Sequence, residues 1–176
     1  MTLEERYAAM VATPSDINTH LPKLRDLASQ CSHVTEFGVR GGVSTTALLA
    51  AQPDYLVCYD ISYCPVIENL VMIRGKCNLS LTLADTAKVA IAPTDMLFID
   101  THHTGPQLTA ELSNACRVRK YIAMHDTKLY GLIGDRGEPG LLGAIKVFLE
   151  ANREWKQVYH TDVNCGLTVL ERDVIQ

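Results

Sequence analysis

The 176-residue chain has no run approaching the ~18 to 20 apolar residues that a membrane-spanning helix needs, so membrane insertion is not expected. Basic blocks are missing as well. Sixteen Lys and Arg stand against 20 Asp and Glu, a net charge of −4, which disfavours nucleic acid and anionic membranes as main partners. No Cys-x-x-Cys pair occurs among the six cysteines, which argues against a structural zinc site. Several cysteines lie among apolar neighbours, as in Leu56-Val57-Cys58-Tyr59, and read as small buried hydrophobes in a reducing cytosol. The start, Met1-Thr2-Leu3-Glu4-Glu5-Arg6, carries acids and no apolar stretch behind a basic start. It predicts no secretory leader and a cytoplasmic location. Internal repeats, low-complexity tracts and domain-dividing linkers are also missing.

The composition that remains, 47% apolar and 20% charged, is that of a globular protein. Its length predicts one domain, 1–176, that buries roughly 70% of its unfolded surface. Residues 1–33 read as helical. Ile17, Leu21, Leu24, Leu27 and Ala28 form an apolar stripe after a break at Pro14-Ser15-Asp16. From 34 to 172 the periods alternate. Strands are predicted at Val34–Val39, Tyr55–Asp60, Leu79–Leu83, Asp95–Asp100, Lys120–Asp126, Trp155–His160 and Leu167–Leu170. Helices are predicted at Ser44–Ala51, Val66–Arg74, around Thr86–Ile91, at Gln107–Cys116 and at Leu141–Asn152, the first of them capped by Ser44 and Thr45. Gly131 to Gly143 holds five of the eleven glycines and reads as a long mobile loop. The fold class is α/β: a doubly wound, Rossmann-like, mostly parallel sheet with helices on both faces and a C-terminal antiparallel strand.

In such a sheet, ligands bind at the carboxyl ends of the strands. Acids gather there: Glu36, Asp60, Asp85, Asp100 and Asp126. The stretch Glu36-Phe37-Gly38-Val39-Arg40-Gly41-Gly42-Val43-Ser44 turns sharply from strand to helix. Arg40 occupies the place of the second glycine in a dinucleotide fingerprint, where pyrophosphate needs bare backbone. Asp60 follows Gly38 by 22 residues, where a carboxylate can hold the two hydroxyls of a ribose. The ligand implied is a nucleoside without a pyrophosphate cradle.

Glu36-x-Gly38-x-x-x-Gly42 with Asp60 resembles the cofactor site of class I S-adenosylmethionine-dependent methyltransferases. Phe98-Ile99-Asp100-Thr101-His102-His103-Thr104, His125-Asp126-Thr127, Pro139-Gly140-Leu141 and Asn164-Cys165-Gly166-Leu167 resemble the cephalosporin-hydroxylase-like and macrolide-sugar O-methyltransferase branch. The likeness runs from about Thr13 to Arg172. It implies that Gly38 and Gly42 face the methionine part of the cofactor, with Ser44 in the same set. Glu36 would order the loop near the amino group, Asp60 hold the ribose, and Asp85 and Thr86 lie beside the adenine. Asp100 would stand near the sulfonium or a metal.

Strands ending at Asp100 and Asp126 would be neighbours about 4.8 Å apart, able to share a cation. In metal-dependent relatives the fifth strand supplies an acid pair or an acid and an amide; here His125 replaces its first member. The set Asp100, His125 and Asp126 therefore suits manganese, iron or zinc better than magnesium. Consecutive residues of a strand point to opposite faces, so Asp100 and Asp126 are the firmer ligands. His125 joins them only if the chain leaves the strand at Met124. His102 and His103 are candidates for a general base, and Asp100, His103 and His125 form the expected catalytic set. His20 and His33 read as incidental surface residues.

The activity expected is methyl transfer to an oxygen of a small-molecule acceptor, with the glycine-rich loop closing over it. Two other classes fit the residues. One is a nucleoside-binding module without transfer chemistry; the other is a metal-dependent hydrolase built on the His and Asp cluster. A homo-oligomer is compatible with all three readings.

Overall fold

The structure, a computed structural model, describes residues 1–173. Helix α1 (Leu3–Ala12) opens with a capping box between Thr2 and Glu5. One turn of tighter helix (Asn18–His20) leads into α2 (Leu21–Ala28). The Ser15 hydroxyl accepts the Asn18 N–H at 3.0 Å, which is the break the sequence predicts there. Ile17, Leu21, Leu24, Leu27 and Ala28 are all buried, so the apolar stripe faces the core as expected.

Alternating units follow: β1 (His33–Phe37), α3 (Val43–Ala50), β2 (Tyr55–Asp60), α4 (Val66–Ile73) and β3 (Asn78–Leu83). Then come β4 (Thr94–Ile99), α5 (Gly105–Leu112), β5 (Val118–His125), α6 (Leu141–Ala151), β6 (Trp155–Thr161) and β7 (Leu167–Arg172). One seven-stranded sheet has the order β3-β2-β1-β4-β5-β7-β6. Strands β1 to β5 run parallel, and β7 lies antiparallel between β5 and β6. This is the predicted fold class. Central strands alternate between two cores, as period-2 geometry requires. Met96 and Phe98 of β4 pack toward α2 and α3, while Leu97 and Ile99 pack toward α5 and α6. Among the described residues, no helix is long and apolar enough to cross a membrane.

Two expectations are corrected. No helix forms around Thr86–Ile91; the chain runs from β3 to β4 through turns. A six-residue segment barred from extension by Pro93 cannot offset the cost of nucleation. Its backbone is satisfied elsewhere: the Asn114 side chain accepts the Ile91 N–H and donates to the Val89 carbonyl, both at 3.1 Å. The glycine-rich stretch is not a free loop either. Ile133 bridges Pro139, the Gly105 N–H donates to the Pro139 carbonyl at 2.7 Å, and the Asp135 N–H donates to the His103 carbonyl at 3.1 Å. It is a compact turn seated on the start of α5.

The sheet reverses its winding between β1 and β4, and there the two strands leave it almost in contact. The Asp100 N–H donates to the Phe37 carbonyl and the Gly38 N–H to the Tyr59 carbonyl, each at 2.9 Å. Gly38 has φ +88°, and a Cβ on it would lie 1.9 Å from the Asp100 carbonyl oxygen. Gly41, three residues on, faces open space. Gly38→Ala is expected to lower unfolding free energy by about 3 kcal/mol or more, and Gly41→Ala by less than about 0.5 kcal/mol. Urea denaturation of the two variants checks this; equal losses would mean that the strand crossing yields.

Candidate active site

The turn after β1 is built over a buried acid. Glu36 is fully buried, accepting the Ser44 and Thr45 hydroxyls at 2.7 Å each and the Cys58 thiol at 3.2 Å. Burial pushes its pKa up to about 7 despite these three donors. Ser44 and Thr45 therefore do not cap the helix. α3 begins behind Gly42 at φ +69° with no side-chain cap, because the buried carboxylate takes both hydroxyls. The arrangement bears on two expected cofactor residues. Glu36 orders the loop as expected, but from beneath, and lines neither of the two cavities described below. Gly42 is turned against Val66 and Leu70 of α4. Ser44 borders a cavity, with its hydroxyl committed to Glu36.

A cleft of about 400 Å³ opens across the ends of β1, β2 and β3. Gly38, Asp60, Asp85, Thr86 and Asp100 line it, which unites five of the predicted residues. Asp60 accepts N–H bonds from Val39 at 2.9 Å, Arg40 at 3.3 Å and Ser62 at 2.9 Å. Partial burial works against its charge, but these donors outweigh it and hold its pKa below the usual range. Asp60 thus ties the glycine turn to β2 while facing the cleft. Asp85 pairs with Lys88 at 2.8 Å. The Thr86 hydroxyl donates to Glu111 at 2.6 Å and accepts from Gln107 at 3.1 Å. Glu111 escapes sequence reasoning: it is buried on α5, and its Oε2 has no partner among the described residues. An acid next to Leu112 in an apolar stripe is the signal that marks it.

A second cavity, about 260 Å³, lies beyond Gly38 and Asp100, which border both. His103, Asp126, Tyr130, Arg40 and Asp16 also line it. β5 ends at His125, and Asp126 turns to φ +59°, which swings its carboxylate back toward its neighbour's ring. The chain leaves the strand one residue later than expected, with the same result. His125 Nδ1 lies 3.4 Å from Asp100 Oδ1 and 3.2 Å from Asp126 Oδ2. His103 Nε2 lies 2.8 Å from Asp126 Oδ2 and 3.7 Å from Asp100 Oδ1, and its Nδ1 is 3.3 Å from Asp135 Oδ2. Burial opposes charge on both rings, but the hydrogen bonds to Asp100 and Asp126 prevail and raise each pKa to about 10. The same bonds overcome desolvation of Asp126 and lower its pKa.

His125 is corrected as a group that touches substrate. It is buried, and its Nε2 is taken by the Asp16 carbonyl at 3.1 Å. His103 keeps its place at the cavity, its ring stacked on Tyr130 at 4.4 Å between centroids. His102 borders the first cleft and pairs with Asp135 at 3.2 Å. His20 is not a surface residue: it is 2% exposed, meets the Asn164 carbonyl at 3.0 Å and stands edge-on to His125. Asp16, Tyr130 and Asp135 reach the site from elements whose sequence carries no strand-end signal.

No protein-family model matches the chain, and no curated protein does. Solved structures do. The O-methyltransferase TomG of Streptomyces achromogenes, involved in tomaymycin synthesis and solved with SAM, is 19% identical with TM-score 0.66, over 92% of this chain and 82% of that one. An O-methyltransferase of Bacillus cereus in complex with SAH is 16% identical with TM-score 0.65, over 97% and 90%. The N-methyltransferase NodS of Bradyrhizobium japonicum is 13% identical with TM-score 0.65, over 90% and 97%. The chain has the Rossmann-like fold of the S-adenosylmethionine-dependent methyltransferases.

The pKa of Glu36 rises from 4.5 to about 7 on folding, so its contribution to stability is full below pH 4.5 and is lost as pH rises through 7. Glu36→Gln removes that dependence. The free-energy difference between variant and wild type is expected to shift toward the variant by about 3 kcal/mol between pH 4.5 and 8. Urea denaturation at several pH values checks this, and parallel profiles would refute it.

Proposed function

We propose that the chain transfers the methyl group of S-adenosylmethionine to an oxygen of a small-molecule acceptor. The observation that carries this reading is the junction at Gly38 and Asp100, where a nucleoside-sized cleft meets a second cavity bordered by His103. The fold and the absence of any Cβ at Gly38 support it. So do Asp60, suited to a ribose, and Asp85 and Thr86, suited to an adenine. Ser44 and Gly38 serve the methionine end, and Glu36 and Gly42 hold the turn from beneath.

Transfer is an in-line displacement. An electron pair on the acceptor oxygen forms the new bond to the methyl carbon as the carbon–sulfur bond breaks, and the sulfur leaves as a neutral thioether. His103 is the base at the cavity. The hydrogen bonds to Asp100 and Asp126 raise its pKa, and positive charge placed beside Asp100 opposes that rise and frees the ring to take a proton. Tyr130 and Asp135 fix its ring. His103→Gln is expected to lower kcat by about 10²- to 10⁴-fold with little change in affinity for S-adenosylhomocysteine. Radiolabelled methyl transfer to a panel of hydroxylated acceptors, paired with calorimetry, checks it. Full activity in the variant would remove His103 from the mechanism, and cofactor binding without turnover on any acceptor would favour the binding module.

The donor set also fits a divalent cation. One ligand atom from each of Asp100, His125 and Asp126 lies within 4.8 Å of the other two. If Nε2 of His125 donates to the Asp16 carbonyl, Nδ1 faces two carboxylate oxygens with only a proton or a cation to reconcile them. When bound, a mixed nitrogen and oxygen site of this kind supplies positive charge that stabilises an acceptor oxyanion. Manganese is expected to raise the melting temperature of the wild type more than calcium does, and His125→Ala is expected to abolish the difference. Thermal denaturation with each ion checks this; identical responses to both ions would leave the cluster to proton chemistry alone.

A further inference from the structure

A third cavity, about 560 Å³, opens beside the turn that follows β5. Leu129 borders both this cavity and the second one. Leu132, Ile133 and Leu142 give the third cavity apolar lining, and Lys128, His160 and Asp162 give it polar lining. Leu129, Leu132 and Ile133 are 59%, 83% and 67% exposed. A single exposed apolar side chain is ordinary, but three within one short turn beside a cavity mark a binding surface. The turn is not free to fold them away. The Lys128 and Leu129 N–H groups donate to the Cys165 carbonyl at 2.9 and 3.0 Å. The Tyr130 N–H donates to the Asp126 carbonyl at 3.0 Å, and the Gly140 N–H to the Leu132 carbonyl at 3.1 Å. Apolar surface is thus held in water at a cost that a bound apolar group would recover.

The charges along the second and third cavities are already matched. Arg40 stands on Asp16 at 2.7 Å, His103 on Asp126 at 2.8 Å, and Lys128 and His160 on Asp162 at 3.1 Å each. These are the basic side chains that line the two cavities. An anion entering there would have to break one of these pairs, and it would meet Asp100 as well. A neutral molecule meets neither cost. We propose that the third cavity receives the body of the acceptor, and that the acceptor is uncharged, hydroxylated at one end and apolar over the rest. Its hydroxyl lies at His103, and its apolar part passes Leu129 to cover Leu132 and Ile133. Leu129 decides the occupant, because it makes the exposed apolar surface continuous with the cavity that holds the base. The inference rests on the methyltransferase reading and deepens it by naming the class of acceptor.

The test uses protein saturated with S-adenosylhomocysteine and three probes: the methyl and butyl esters of 4-hydroxybenzoic acid, and the free acid. Calorimetry at neutral pH is expected to show the butyl ester binding about ten-fold or more tightly than the methyl ester, and the free acid most weakly. Leu132→Gln and Ile133→Thr should each narrow the ratio between the esters to about three-fold or less. Affinity for S-adenosylhomocysteine and melting temperature should not change in either variant. Met72→Gln, on α4 and as exposed as Leu132, should leave the ratio intact. Failure of both esters to bind, a ratio unchanged in the turn variants, or a free acid that binds as tightly as the butyl ester would overturn the assignment. So would light scattering that shows a wild-type dimer and a Leu132→Gln monomer, which would give the surface to a second copy of the chain. Wild-type protein that fails to bind S-adenosylhomocysteine would instead overturn the methyltransferase reading itself.

Discussion

The passage of β1 past β4 at Gly38 governs the architecture of the site. Nothing but hydrogen fits between the Gly38 Cα and the Asp100 carbonyl. Because the strands part there, the sheet opens a crevice on each side of one point. Asp100 is held at that point by its N–H bond to Phe37 and belongs to both cavities. Reactants entering from opposite sides would meet above the same residue. The buried Glu36, one step earlier, locks the turn from below through α3 and β2.

The second organising feature is a compact set of opposite charges. Asp100 and Asp126 flank the rings of both His103 and His125, and Asp135 meets the far side of the His103 ring, so that opposite charges stand at about hydrogen-bond distance. Burial alone disfavours charge on Asp100, Asp126, His103 and His125, but the hydrogen bonds among them favour ionised carboxylates and protonated rings, an arrangement that added positive charge would redistribute. The surrounding packing, with Tyr130 on one ring and His20 on the other, leaves the rings little freedom to turn away.

Much of this was legible in the sequence. Met96 to Ile99 read as a buried parallel strand because both of its faces meet a core, and the acids at strand ends were found because parallel sheets present ligands there. Asp60, Asp85, Thr86, Asp100, His103 and Asp126 all line the two cavities. The failures have physical causes. Ser44 and Thr45 have the chemistry of a helix cap and equally that of donors to a buried acid; sequence cannot say which partner wins. Asp16, His20 and Asp135 reach the site from distant segments, brought there by tertiary packing. The left-handed turn at Asp126 that unites it with its neighbour's ring leaves only a weak mark in residue type, since Asp tolerates that conformation without requiring it. The expected helix before β4 was lost to hydrogen bonds from Asn114, more than 20 residues away.

That lost helix gives the sheet a gradient of local stability. On its inner strands Leu97, Phe98, Ile122 and Ala123 are sealed, whereas β3 is an edge strand whose residues are all at least partly exposed, with α4 on one face and no helix on the other. Opening of this edge needs less buried surface to be given up than opening of the centre, so amide exchange should be faster there than in the inner strands. Asp60 and Asp85 stand on this loose side, and His103 and Asp126 on the firm one. A ligand held between the carboxyl ends of β2 and β3 would favour the closed edge by its binding free energy, which couples occupancy of the cleft to the stability of that edge.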